Sequence, residues 1–166
     1  MKKPSWIKII CSVTLFLICS VPLFGGSIAT TFVDVTLQNL SINKEYKLEQ
    51  PLKVINRSDK PLNIVISVQI LSEVSSRRLN ADYQPIEHTN WLKVVPSTYT
   101  LPAGQTASSD VFLKIPKNRK LRGKSFQANL EITGYPTEKT GGVTFVPSLL
   151  TKLRFSIEKK KGFLFW

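Results

Sequence analysis

Cysteine is nearly missing from this 166-residue chain: there are two, Cys11 and Cys19, and both fall within the first 29 residues. Histidine is down to one, His88, and 11 acids stand against 23 lysines and arginines. Each shortage closes off a class of function. A zinc site wants three or four His, Cys or carboxylate ligands, and no second histidine exists to start one. No Asp-rich loop carries the spacing of a calcium site. A Ser-His-Asp triad would have to use His88, and no Gly-x-Ser-x-Gly elbow surrounds any serine. A glycosidase needs two carboxylates across a cleft. Here Asp34, Glu49, Asp110 and Glu131 sit on the polar parity of extended runs, while Asp59 and Glu138 sit in turns. The sequence therefore offers no catalytic residue, no metal ligand set and no cofactor motif, and a non-enzyme is expected.

What is present begins with a basic start. Lys2, Lys3 and Lys8 lead into Ile9–Phe24, a stretch without a charge, and Ser27-Ile28-Ala29 places small side chains at the two positions a signal peptidase reads. A basic, then apolar, then small-residue order is that of a secretory signal peptide, expected over residues 1–29. An uncleaved anchor is the rival. It would want about 20 apolar residues, and Pro22, Gly25 and Gly26 interrupt the run. Ile18 stands before Cys19 where a lipoprotein signal wants a small residue. The expected location is exported: periplasm, cell surface or extracellular.

Cleavage after Ala29 leaves 137 residues (166 less 29), enough for one domain with its own core and hardly for two. That remainder holds no thiol, so neither a disulfide nor a thiolate can serve it. It keeps 20 basic residues (23 less three) against 11 acidic ones, a net +9. Such a charge favours anionic partners. Export and the want of aromatics among the basic residues argue against nucleic acid.

From Thr30 onward the apolar residues recur with period two. Val33, Val35 and Leu37 form one run; Tyr46, Leu48, Leu52 and Val54 a second; Leu62, Ile64, Ile66, Val68 and Ile70 a third. Val111, Leu113 and Ile115 follow, then Phe126, Ala128, Leu130 and Ile132, and finally Leu149, Leu153, Phe155 and Ile157. Side chains two apart share a face of a strand, so each run is a half-buried strand. Asn56–Pro61, Leu101-Pro102-Ala103-Gly104 and Gly134-Tyr135-Pro136 supply turn chemistry between them. About seven strands spaced this way predict an all-β fold, an immunoglobulin-like antiparallel β-sandwich over residues 30–158. A small closed barrel is the alternative. Ser72–Asn90 is too long for a hairpin loop and is expected to cross between sheets or to act as a functional loop.

Two features carry the candidate binding chemistry. Lys114, Lys117, Arg119, Lys120, Arg122 and Lys124 crowd one short window. From these, Lys117, Arg119, Lys120, Arg122 and Lys124 are the candidate anion-binding residues, against the plainer reading of a solvated loop that discourages edge pairing. The tail, residues 159–166, joins Lys159-Lys160-Lys161 to Phe163-Leu164-Phe165-Trp166. Peripheral membrane contact, docking on a partner and a frayed end are the three roles open to it. Asn39-Leu40-Ser41 and Asn56-Arg57-Ser58 match the glycosylation acceptor pattern, which is short enough to recur by chance.

Three stretches also carry a resemblance. They are Leu48–Val68 around its Asn-Arg-Ser-Asp-Lys-Pro turn, Trp91–Pro96 followed by Leu101–Gln105, and Phe112–Pro116 running to Leu121–Phe126. Together they are similar to the immunoglobulin-like domains of WxL-type bacterial cell-surface proteins and, more distantly, to the first domain of periplasmic pilus chaperones. The resemblance implies an extracytoplasmic sandwich and marks a fold more than a function. Joined to the positive charge, it gives the expectation of a module that binds a protein partner or an anionic cell-envelope polymer, with an assembly chaperone that lends a strand as the alternative. A pilus chaperone has two such domains and a basic cleft for a subunit's terminal carboxylate. Here the first run, Phe32–Gln38, has no Arg or Lys, and Lys152 and Arg154 on the last run receive no role.

Overall fold

Alternation by itself fixes which side of a strand faces inward; pairing decides which sheet it joins. In the computed structural model, which describes residues 28–71, 79–138 and 145–159, the alternating runs become eleven strands. They are β1 (Ile28–Thr30), β2 (Asp34–Leu40), β3 (Lys44–Lys47), β4 (Leu52–Asn56), β5 (Leu62–Gln69), β6 (Gln84–Pro85), β7 (Leu92–Val95), β8 (Thr98–Leu101), β9 (Thr106–Ile115), β10 (Ser125–Pro136) and β11 (Ser148–Ile157). One sheet holds β1, β4, β9 and β3, with β7 also on β9; the other runs β2-β11-β10-β5-β8, with β6 beside β10. The fold is the expected immunoglobulin-like β-sandwich.

Three passes of the chain are broken in two, and with the two-residue β6 they turn seven passes into eleven strands. The first pass changes sheet: β1 pairs antiparallel with β4, then β2 pairs parallel with β11. The second keeps to one side of β9 but is interrupted at Glu49-Gln50-Pro51 between β3 and β4. The fourth changes sheet at a cis Val95–Pro96 bond, with β7 on β9 and β8 on β5. The ladders are antiparallel apart from β2–β11 and β6–β10.

The sheet change corrects one expectation. Val33 was the first inward residue of its run, yet it is 65% exposed while its neighbour Phe32 is fully buried. Residues 31–33 carry the chain from one sheet to the other, and that step inverts the parity. Ile70, at the end of the third run, is likewise exposed. The described part of the long loop does cross between sheets. Residues from Asn80 to Ile86 run along β10, where the Asn80 amide donates to Gln127 Oε1 (3.3 Å) and the Ile86 amide to the Gln127 carbonyl (3.3 Å).

Between the sheets, Leu52, Val54, Ile64, Val111, Leu113, Ile115, Leu130, Ile132 and Leu153 have lost essentially all contact with water. An aromatic cluster closes one end of this core. Trp91 meets Phe126 edge-on at 5.2 Å, and Phe126 stacks on Phe155 at 5.6 Å. Such pairs add about 0.5–1.5 kcal/mol each to the burial of their area.

Candidate functional site

The window of basic residues forms the turn between β9 and β10, and its backbone is held throughout. Asn118 caps a single 3-10 turn, Arg119–Leu121, with its Oδ1 accepting from the Lys120 amide (3.0 Å). Leu121 points inward, 1% exposed, and anchors the turn to the core. Gly123 sits at φ +75°, a left-handed conformation that suits glycine. From there its amide is shared between the carbonyls of Ile157 (3.1 Å) and Glu158 (3.2 Å). The Ile157 amide in turn donates to the Lys124 carbonyl (2.9 Å). The turn is thereby stitched to the end of the last strand.

The five candidate residues divide. Lys117, Arg119, Lys120 and Lys124 are exposed, and among the described residues none of the four is in an ion pair. Arg122 is half-buried; its Nη1 lies 3.8 Å from Glu158 Oε1, while Glu158 Oε2 accepts from Ser41 Oγ (3.1 Å). Arg122 thus belongs to the scaffold of the turn more than to its charged surface. Lys159, the first residue of the basic tail, is close by: a Cβ placed on Gly123 would stand 3.5 Å from Lys159 Cγ. The sequence showed the turn and the tail as separate features, and the fold puts the start of one against the other. The rest of the tail, residues 160–166, lies outside the described residues.

His88 also falls at this end. With Glu87, Asn90, Trp91, Lys114, Pro116 and Asn118 it lines an open cleft of about 470 Å³. Glu87, His88 and Lys114 bring titratable groups to the cleft, and among the described residues no three His, Cys, Asp or Glu side chains gather as metal ligands.

The last strand presents a second surface. From Lys152 to Ile157 β11 is paired on both edges, by β10 and by β2. Ser148–Thr151 pair with β10 alone among the described strands. Just before them Phe145 is 83% exposed and Val146 41% exposed. Arg154 is not free for a carboxylate from outside. Its Nη1 holds both oxygens of Asp34 (3.1 and 2.9 Å), its Nε donates to Gln127 Oε1 (3.3 Å), and its guanidinium lies over the Tyr83 ring at 5.6 Å. Sequence reasoning missed this clamp because Asp34 and Arg154 are 120 residues apart.

No family model matches the chain, and no curated protein matches it. Solved structures do. PapD-like domain 7 of human CEP192 is 7% identical, with 81% of this chain and 87% of that one covered, at a TM-score of 0.57. The E. coli chaperone DraB is 19% identical over 82% of this chain and 58% of its own, at 0.52. A Salmonella enterica SafA pilin in complex with the SafB chaperone gives 16% identity, 82% and 57% coverage, and 0.53. This chain therefore spans under two thirds of the chaperone chains it resembles. At such identities the likeness shows the fold, a PapD-like immunoglobulin sandwich, and the WxL-type resemblance rests on its sequence motifs alone.

Proposed function

We propose that this protein is an exported, non-catalytic binding module that acts by surface contact, using the end of the sandwich that carries the β9–β10 turn. The observation that supports this reading most is the exposure of Lys117, Arg119, Lys120 and Lys124 on a turn whose backbone is pinned to the last strand. The ligand it fits is an anionic component of the cell envelope, a polymer or lipid surface bearing phosphates or carboxylates. A basic side chain near such a surface contributes about 1 kcal/mol. Four of them give about 4 kcal/mol, a dissociation constant on the order of 1 mM, which is useful only against a dense, repeating target. The tail supplies Lys160, Lys161 and three aromatics from a starting point beside the turn. Replacing Lys117, Arg119, Lys120 and Lys124 together by Gln in the full chain should abolish salt-sensitive retention on isolated envelopes. Unchanged retention would clear the turn of this role.

A second reading is an assembly chaperone that lends a strand edge to a secreted subunit. It is favoured by the edge at Ser148–Thr151, which no described strand pairs opposite β10, and by the exposed Phe145 and Val146 ahead of it. An added strand would find unpaired backbone groups there and apolar side chains for contact. Co-purification of a strand-deficient partner, lost in Phe145→Asp, is the result this reading requires.

A further inference from the structure

Two cut points fit the small-residue rule near the start of the chain. A cut after Ala29 places Ser27 and Ala29 at the positions that are read, and a cut after Ser27 places Gly25 and Ser27 there. Sequence alone gives no reason to prefer the second. The fold does. Ile28 is 7% exposed and belongs to the core cluster. With Ala29 and Thr30 it forms β1, in register with Asn56, Ile55 and Val54 of β4. Its side chain fills a notch left by a glycine: a Cβ on Gly134 would come within 3.3 Å of Ile28 Cγ2 and 3.2 Å of Leu62 Cδ1. Gly134 continues the inward parity of Phe126, Ala128, Leu130 and Ile132, so the position calls for an apolar side chain and carries none. Ile28 occupies that space from the neighbouring sheet.

A cut after Ala29 would remove Ile28 and two of the three register pairs of β1. Leu62 and the Gly134 notch would lose the cover that Ile28 gives them, leaving Pro147, whose Cγ would stand 3.5 Å from such a Cβ. We infer that the processing site is the Ser27–Ile28 peptide bond, so that the exported protein begins at Ile28 with β1 intact. The reaction is hydrolysis by a signal peptidase. Water adds across the bond, giving a carboxylate on Ser27 and an amine on Ile28, with no cofactor required. The requirement for a complete β1 is a constraint set by the folded state on a bond broken before folding, the kind of agreement between levels expected of a sequence that specifies one structure.

This inference rests on the export reading, and its test separates the two. The full chain is expressed in a bacterial host and the exported protein's intact mass is measured. A chain beginning at Ile28 is expected. A chain beginning at Thr30, or exported protein that keeps residues 1–27, overturns the assignment. Uncut protein confined to the cytosol overturns export itself, and the assignment falls with it. Two variants sharpen the result. Gly25→Leu should make the precursor accumulate, whereas Ala29→Leu should leave the cut after Ser27 in place. The opposite pattern would locate the cut after Ala29.

Discussion

Tyr99, on β8, shows how one buried group links stability to pH. Its hydroxyl is shut away from water and has no hydrogen-bond partner among the described residues, and the same holds for the hydroxyl of Ser109 on β9. Burial pushes the Tyr99 phenol above its ordinary 10.0, and the nearness of Ser109 opposes the rise only in part. An acid whose folded value is raised is favoured by folding in its neutral form. Its contribution is whole below pH 10 and drains away as pH climbs from there through the folded value. Tyr99→Phe removes both the titration and the unsatisfied hydroxyl. It should leave the protein equally stable or about 1 kcal/mol more stable near neutrality. Thermal melts of the variant should also fall less steeply than those of the parent above about pH 10. A parallel alkaline decline in both would show that Tyr99 is not the source of the loss. Phe155 tests the core at the same scale. It is fully buried between Trp91 and Phe126, so Phe155→Ala should cost about 3–5 kcal/mol in denaturant unfolding. A loss below about 1 kcal/mol would mean the aromatic cluster is not packed as described.

Among the elements, the turns depend on single side chains more than their exposed positions suggest. Asn56 ends β4 and is fully buried. Its Nδ2 donates to the carbonyls of Lys60 (2.8 Å), Leu101 (3.0 Å) and Pro102 (3.1 Å), and its Oδ1 accepts from the Ser58 amide (2.9 Å) and hydroxyl (2.6 Å). One amide ties the β4–β5 turn to the β8–β9 turn. Buried in this way, its nitrogen is not open to glycosylation in the folded protein. Asn56→Ala should cost about 2–3 kcal/mol by leaving carbonyls unpaired, and Asn56→Asp more, since a carboxylate would then face three carbonyl oxygens. Equal stability of the Asp variant and the parent would show that water takes over the lost bonds. The turn itself was legible in Asn-Arg-Ser-Asp-Lys-Pro; the tie to Leu101 and Pro102 was not, because its partners lie 45 and 46 residues on. Strand faces were legible for the same local reason, as with Ile64, Leu113 and Leu130. Where a strand leaves its sheet, as at Phe32 and Val33, alternation misled, since changing sheets depends on which distant strand is met. The basic turn could be read from its composition. The engagement of Arg122 by Glu158 and the closeness of Lys159 to Gly123 needed the pairing of β11 with its neighbours.

At the scale of the molecule, the two candidate surfaces lie at opposite ends of β10. The basic turn precedes Ser125, and Phe145 and Val146 lie beyond Pro136. Twelve residues of strand at about 3.3 Å each span roughly 40 Å. Salt at physiological strength screens charge over about 8 Å, so charges on the turn leave the Phe145 end unaffected. The sandwich between the two is a packed core with no described hinge. The two surfaces should therefore behave as separate sites. Lys117→Gln, Arg119→Gln, Lys120→Gln and Lys124→Gln combined should lower envelope retention and leave partner co-purification unchanged, with Phe145→Asp doing the reverse. Changes this far apart with no shared partner add within about 0.3–0.5 kcal/mol. The combined variant should accordingly show each loss at its single-variant size. If Phe145→Asp alone also weakened envelope retention tenfold, about 1.4 kcal/mol, the two ends would form one extended contact. A ligand reaching along β10 would then replace the turn as the working surface.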